Sequence, residues 1–168
     1  PYVEFNQAES YKFLGRHENA ILLYKSALKM FPAFSECRHN YALLLRDSGK
    51  LLQAELQLRL NLIYQSDSFQ SSFELGNLLR EQKKIDEAIE CYKLCLNINP
   101  KYIPAILNIG ICFQEKGNLK KSIYFYQQCL TINPDYLLAR KNLIHTFNQL
   151  KEHQKSLEHA EFVYKMSS

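Results

Sequence analysis

The feature that most constrains this chain is a sequence period of 34 residues. Residues of one type recur at multiples of this spacing in four columns: Pro32, Pro100 and Pro134; Gly15, Gly49 and Gly117; Ala20, Ala54 and Ala88; Tyr24, Tyr92 and Tyr126. A fixed period of about 20 to 50 residues is typical of a solenoid, in which each repeat buries its apolar side only by stacking on its neighbours. The pattern therefore favours a binding scaffold over an enzyme.

Residues 103–136 show one repeat most clearly. Apolar residues spaced three and four apart predict a first helix over 103–114 and a second over 119–132. Between them, Gly117 favours a left-handed C-cap and Asn118 favours the N-cap of the second helix. Pro134 ends that helix, because proline disfavours the helical conformation in the preceding residue. The repeat is predicted as helix, tight turn, helix and short loop, which makes the chain all-α.

The same columns predict the core. A column of small residues (Ala8, Ala42, Gly76 and Gly110) allows the two helices of a repeat to approach closely. Large side chains are expected to fill the core beside it: Tyr11, Leu45, Leu79, Phe113 and Phe147 from the first helices, and Tyr24, Leu58, Tyr92 and Tyr126 from the second.

Composition excludes several other classes of protein. The net charge of +4 is too small to predict nucleic-acid binding without a focused basic stripe. No motif for phosphate, dinucleotide or catalytic metal binding is present. Cys91 and Cys95 lie four residues apart, but no nearby histidine or second cysteine pair completes a metal site. We therefore expect neither a cofactor, nor a metal site, nor catalytic residues within this chain.

The cysteines and the apolar segments bear on location. Five cysteines at helical positions fit reduced thiols, and so a cytoplasmic or other intracellular compartment, better than a disulfide framework. The longest apolar stretch, around Tyr102–Phe113, is too short and too interrupted to span a membrane. Because the chain begins at Pro1 in the phase of a repeat, we expect it to be an excerpt of a longer protein, whose targeting signal can lie outside it.

The combined columns resemble the tetratricopeptide repeat. Leu75-Gly76, Ala88, Tyr92 and Pro100 carry the resemblance in one repeat, and Ile109-Gly110, Phe113, Tyr126 and Pro134 in the next. It implies a right-handed α-solenoid, a single array of about five helix-turn-helix repeats covering 1–34, 35–68, 69–102, 103–136 and 137–168. The chain departs from the family pattern in having no tryptophan and in placing Ser66 where the second repeat should have proline.

The resemblance also implies that first helices line a concave groove that binds a peptide. One column of these helices reads Asn6, Asn40, Glu74, Asn108 and Asn142. Asparagine is a poor helix former, so its recurrence needs a reason. One interpretation is a ladder that grips a peptide backbone, similar to the ladder in the O-GlcNAc transferase superhelix. The other is that each asparagine bonds the backbone of the neighbouring repeat.

A second column contains Arg46 and Arg80, followed by an acidic column. We expect these charges either to form salt bridges between adjacent repeats or to meet an acidic partner segment. Asn77 and Asn108 match two places in the carboxylate clamp of chaperone-binding family members. The lysine and arginine places of that clamp hold Phe73, Leu138 and Asn142, which argues against this mode of binding.

The sequence therefore predicts a non-catalytic scaffold that binds another protein or peptide through Asn6, Asn40, Asn77, Asn108, Asn142, Arg46 and Arg80. Two alternatives remain open. The chain can be the substrate-recruiting arm of a larger enzyme such as a glycosyltransferase. It can also associate with itself through the ends of the array, where the predicted helix over 154–166 has an apolar side.

Overall fold

The computed structural model describes residues 1–167, and over these residues it contains ten α-helices and no strand. The helices are α1 Tyr2–Phe13, α2 His17–Met30, α3 Ser35–Asp47, α4 Leu51–Tyr64, α5 Phe69–Glu81, α6 Ile85–Ile98, α7 Ile103–Glu115, α8 Leu119–Ile132, α9 Leu137–Gln149 and α10 His153–Ser167. They form two compact units, Pro1–Lys83 and Lys84–Ser168. The prediction of an all-α chain is confirmed.

In the first compact unit the helices α1 to α5 pack in chain order, from α1 on α2 to α4 on α5. Tyr24 is fully buried at the centre, with its ring centroid 6.3 Å from that of Phe5 and 5.8 Å from that of Tyr41. Ala8, Ala20 and other small residues are fully buried around it, so α1, α2 and α3 are held together by the predicted columns.

In the second compact unit α6 to α10 likewise pack in chain order. Tyr126 is fully buried in a cluster that includes Leu143 and Phe147. A methyl group added to Gly110 would lie 2.5 Å from a ring carbon of Tyr126, which only a shift of the packed helices could accommodate. The predicted role of the small column is confirmed here.

The helix boundaries follow the turn residues of the sequence. Gly117 has a φ of +75° and the Asn118 carboxamide accepts a hydrogen bond of 3.2 Å from the backbone N–H of Lys121. At the equivalent turns Lys83 and Lys151 adopt φ of +63° and +60°, so the left-handed turn is kept where glycine is missing. Similarly, α4 ends at Tyr64 although Ser66 has replaced the proline.

Two residues predicted to be core are only half-buried, Tyr11 and Phe113. The Phe113 ring stacks on Phe125 with centroids 5.5 Å apart, and the Lys121 ammonium lies 5.0 Å from its centre. The prediction was wrong for these two residues, whereas Leu45, Leu79 and Phe147 of the same column are buried as expected.

Candidate functional site

The predicted site residues fall in both compact units: Asn6, Asn40, Arg46, Asn77 and Arg80 in the first, and Asn108 and Asn142 in the second. Asn6 is exposed on α1, and the other six are half-buried.

In the first compact unit Asn40 is anchored to the preceding repeat. Its amide Nδ2 donates a hydrogen bond of 3.0 Å to the Glu9 carboxylate on α1, and the same carboxylate oxygen accepts from the hydroxyl of Tyr24. Burial, and after it this bond to Glu9, raises the pKa of Tyr24. Glu9 therefore joins α1, α2 and α3 through one carboxylate. The repeat columns gave no sign of it, because the equivalent positions hold unrelated residues such as Leu43.

Glu74 replaces an asparagine of the column and binds two of the predicted site residues. Its Oε2 accepts 2.6 Å from Arg46 and 3.3 Å from Asn77. Arg46 belongs to the second repeat and Glu74 to the third, so the predicted salt bridge between adjacent repeats is present for this arginine. The structure thus brings Arg46 and Asn77 together around a carboxylate.

In the second compact unit the two asparagines differ. Asn108 donates through Nδ2 to the hydroxyl of Tyr92 at 3.3 Å. The Nδ2 atom of Asn142 is buried and meets no hydrogen-bond partner among residues 1–167. Where the column bonds a neighbouring repeat, the acceptors are therefore side chains, Glu9 and Tyr92, rather than the backbone groups of the second interpretation.

A pocket that the sequence analysis missed lies in the first compact unit. It has a volume of about 340 Å³ and is lined by Ser35, Glu36, His39, Gln65, Ser68 and Gln70. We call this the polar pocket. It collects residues from the start of α3, the end of α4 and the start of α5. The sequence marks this pocket by the absence of aromatic residues rather than by a motif. The positions 34 residues earlier include four aromatic residues: Tyr2, Phe5, Phe31 and Phe34.

A chain of hydrogen bonds adjoins the polar pocket. The buried Ser71 hydroxyl accepts from Asn61 Nδ2 at 2.7 Å and from Ser68 Oγ at 3.1 Å. It also lies 3.2 Å from Nδ1 of His39. Because a hydroxyl oxygen accepts two bonds and has one hydrogen to donate, we assign that hydrogen to His39 Nδ1, the arrangement that satisfies all three contacts. Neutral His39 therefore carries its proton on Nε2.

The network also contains an unsatisfied group. Asn61 is fully buried, and its Oδ1 meets no hydrogen-bond partner among the described residues. The equivalent positions hold Ala27, Cys95 and Cys129, which have no carboxamide to satisfy.

Burial lowers the pKa of His39; Glu74 opposes this effect, whereas Lys12 and Arg46 add to it.

The described residues show little reactive chemistry. All five cysteines are buried. For three of them burial raises the pKa of the thiol: Cys37 to about 12, Cys95 to about 11 and Cys129 to about 12. These thiols remain protonated at neutral pH, whereas the thiolate is the nucleophile. No group of three metal-ligating side chains is found in residues 1–167. Over the same range, no helix has the length and apolar character that a membrane span requires.

Family models identify the repeats. Models described as the tetratricopeptide repeat match residues 5–34, 70–102 and 103–136, together more than half of the chain. The chain belongs to the tetratricopeptide repeat family. The resemblance and the predicted fold class, an all-α solenoid of helix-turn-helix repeats, are confirmed, and the fold is that of a protein-interaction scaffold.

Solved structures are similar in fold at low identity. MamA of Desulfovibrio magneticus RS-1, from residue 41 to the end, is 17% identical with a TM-score of 0.89, over 99% of this chain and 94% of that one. YrrB, a TPR protein with an unusual peptide-binding site, is 16% identical with a TM-score of 0.79, over 96% and 84%. The pilF protein of Pseudomonas aeruginosa is 15% identical with a TM-score of 0.83, over 97% and 74%. No curated protein matches the sequence.

Proposed function

We propose that this scaffold binds an extended segment of another protein along the first helices of its repeats, without catalysis. The observation that carries the proposal is the state of Asn40. Its amide is fixed in orientation by Glu9, yet this bond uses only one of its hydrogens. A carboxamide offers two donors and one acceptor, so Asn40 retains an N–H and a C=O that match the C=O and N–H of an extended backbone.

The other members of the column extend this surface in different ways. In the second compact unit, the unpartnered amide nitrogen marks Asn142 as a second polar point of contact, because buried polar groups are almost always paired. In the first, Glu74 substitutes a carboxylate that already holds Arg46 and Asn77. In the first compact unit we therefore expect the Asn40 amide, beside the charged cluster near Glu74, to bind a ligand backbone. In the second we expect the Asn142 amide to do so.

The chain's own pairing of Arg46 weakens the idea that this arginine meets an acidic partner segment. Its contact with Glu74 is short and both side chains are about a quarter exposed, at 28% and 21%. A ligand carboxylate would have to displace Glu74 and leave it without its partner, at a cost of about 1 to 3 kcal/mol. Backbone recognition by the asparagines is the more favourable mode.

A display library of unstructured peptides provides the test. Peptides selected on the intact chain are measured by fluorescence anisotropy against Asn40→Ala and against the double variant Asn108→Ala, Asn142→Ala. We expect each to weaken binding by about fivefold or more, the loss of one net hydrogen bond. The matched control is Asn19→Ala, an exposed asparagine on the second helix α2.

Stability separates a binding role from a structural one. Each variant is also unfolded in urea and followed by far-UV circular dichroism. Weaker binding with an unchanged midpoint supports the proposal. If the variants unfold, or if Asn19→Ala weakens binding to the same extent, the asparagines do not form the ligand surface.

A further inference from the structure

The polar pocket occupies the place that aromatic rings fill one repeat earlier. In the first repeat the ring of Phe34 lies 5.0 Å from that of Tyr2, 5.1 Å from Phe5 and 6.2 Å from Phe31, measured between centroids. The residues 34 positions later are Ser68, Glu36, His39 and Gln65, all of which line the pocket. The pocket therefore lies where the first repeat has a cluster of four aromatic rings, each replaced here by a polar side chain.

The aromatic residue before a first helix is retained at other repeats. Tyr102 and Tyr136 stand in the column of Phe34, and Tyr136 packs against the core of the second compact unit. Only Ser68 departs from this pattern, and it leaves a volume of about 340 Å³ that one aromatic side chain fits. The shape of the pocket thus favours a ring.

The lining favours a ring with a polar edge. His39 uses Nδ1 as the acceptor of the Ser71 hydroxyl, so its Nε2–H is the donor that it can offer to a ligand. Glu36 adds a carboxylate acceptor on the exposed side of the pocket. A phenol oxygen can accept from His39 and donate to Glu36, whereas a phenylalanine ring can do neither.

A lysine or arginine side chain fits less well. Either would pair with Glu36, but both are donors only and cannot accept from the Nε2–H of His39.

We propose that the polar pocket receives a tyrosine side chain of the bound partner segment. This proposal rests on the proposed function above. It adds a requirement on the sequence of the bound segment to a surface that otherwise contacts only the backbone of that segment. The partner segment is then one with an exposed tyrosine placed to enter the pocket beside α3 and α5.

The first test uses the pocket without a peptide. The intact chain, labelled with ¹⁵N, is titrated with N-acetyl-tyrosinamide, N-acetyl-phenylalaninamide and N-acetyl-lysinamide, and the His39 ring and the Ser68 and Ser71 amides are followed by NMR. We expect saturable shifts at these residues with the tyrosine amide, at an affinity about fivefold or more above the phenylalanine amide. Equal binding of the three, or no saturable shift, overturns the proposal.

Variants place the effect in the pocket. Ser68→Tyr gives the second repeat the residue of Tyr102 and Tyr136, and its own ring is expected to abolish the response. The matched control is Ser26→Tyr, at an exposed serine of α2. His39→Phe restores the residue of the first repeat, Phe5, and removes the Nε2–H donor; it should remove the preference for tyrosine over phenylalanine even where Ser68→Tyr does not fold.

Selected peptides then separate this proposal from the function on which it rests. One outcome would reject the tyrosine pocket and leave the scaffold function intact. In it, the peptides bind Asn40→Ala more weakly than the unaltered chain, but their affinity does not change with Ser68→Tyr or when their own tyrosine is replaced by alanine. A saturable response to the tyrosine amide in a chain that selects no peptide would retain the pocket and reject the extended-segment function.

Discussion

Phe34 stands directly before α3 and buries its ring against α1, whereas Ser68, directly before α5, leaves a polar pocket in the equivalent place. The helices that follow begin at equivalent residues, Ser35 and Phe69, so the framework is the same at both junctions. The first junction is closed by aromatic packing and the second by hydrogen bonds around Ser71. The difference teaches that this repeat framework tolerates a polar junction, which leaves a volume of about 340 Å³ where the other junction has packed rings.

The largest expected effect comes from making the first junction resemble the second. Phe34 is 7% exposed, so Phe34→Ser removes a buried ring from between Tyr2 and Phe5. We expect the free energy of unfolding to fall by about 3 kcal/mol, as for other buried aromatic truncations. Urea unfolding followed by circular dichroism measures it.

The control for that variant is Phe13→Ser, because Phe13 is 92% exposed. It should change the free energy of unfolding by less than about 0.5 kcal/mol. A loss below about 1 kcal/mol for Phe34→Ser would show that the aromatic junction contributes no more than the polar one, and the contrast between the two junctions would fail.

An intermediate effect on the free energy of unfolding is expected from exchanging Ala27 on α2 and Asn61 on α4, which occupy equivalent positions beside the two junctions. Ala27 is fully buried and is equivalent to Asn61. The residue equivalent to Ser71, which accepts the hydrogen bond of Asn61, is Cys37. Ala27→Asn therefore buries a carboxamide at a place that lacks a hydroxyl equivalent to Ser71, the acceptor of the Asn61 hydrogen bond. We expect a loss of about 2 kcal/mol, from an unpaired buried amide.

The reciprocal change, Asn61→Ala, sharpens the same contrast. It loses the 2.7 Å bond to Ser71 but also removes the buried Oδ1 that has no partner among the described residues. These terms oppose each other, so the free energy of unfolding should change by less than about 1 kcal/mol. A loss as large as that of Ala27→Asn would mean that the network around Ser71 is a main support of the second junction.

The helices and turns of the repeats could be predicted from the sequence more completely than the contacts of the candidate site. The columns predicted the bounds of α8 and the cap at Asn118, because turn residues and apolar spacing are local signals. They did not predict the left-handed turns at Lys83 and Lys151, where helix packing imposes the conformation without glycine. Local signals therefore suffice where the responsible residue is itself part of the repeat.

The contacts of the site depend on residues that do not repeat. Asn40 was identified as a candidate, but its partner Glu9 belongs to no column, so only the three-dimensional structure reveals it. The polar pocket was missed for a related reason. It is formed where Ser68 and His39 depart from the columns, and a search for recurring residues passes over departures.

The smallest effect is a pH dependence confined to the polar junction. Burial lowers the pKa of His39 in the folded chain, an effect that Glu74 opposes and that Lys12 and Arg46 reinforce. The unfolded chain then binds the proton more readily, since a free histidine has a pKa of about 6.5. The free energy of unfolding should therefore fall as the pH is lowered from 7 through 6.5 towards the folded pKa.

Protonation also has a structural reason to be unfavourable here. A proton on Nδ1 of His39 would turn it into a donor facing Ser71, whose oxygen already accepts from Asn61 and Ser68. His39→Phe, which installs the first-repeat residue, should flatten the pH dependence of unfolding between pH 7 and 5 relative to the unaltered chain. His17→Phe, the same substitution at an exposed histidine at the start of α2, is measured alongside as the matched control. Equal slopes for the unaltered chain and His39→Phe would assign the dependence to other groups, such as the half-buried His159, whose pKa is lowered by burial and then by Arg140.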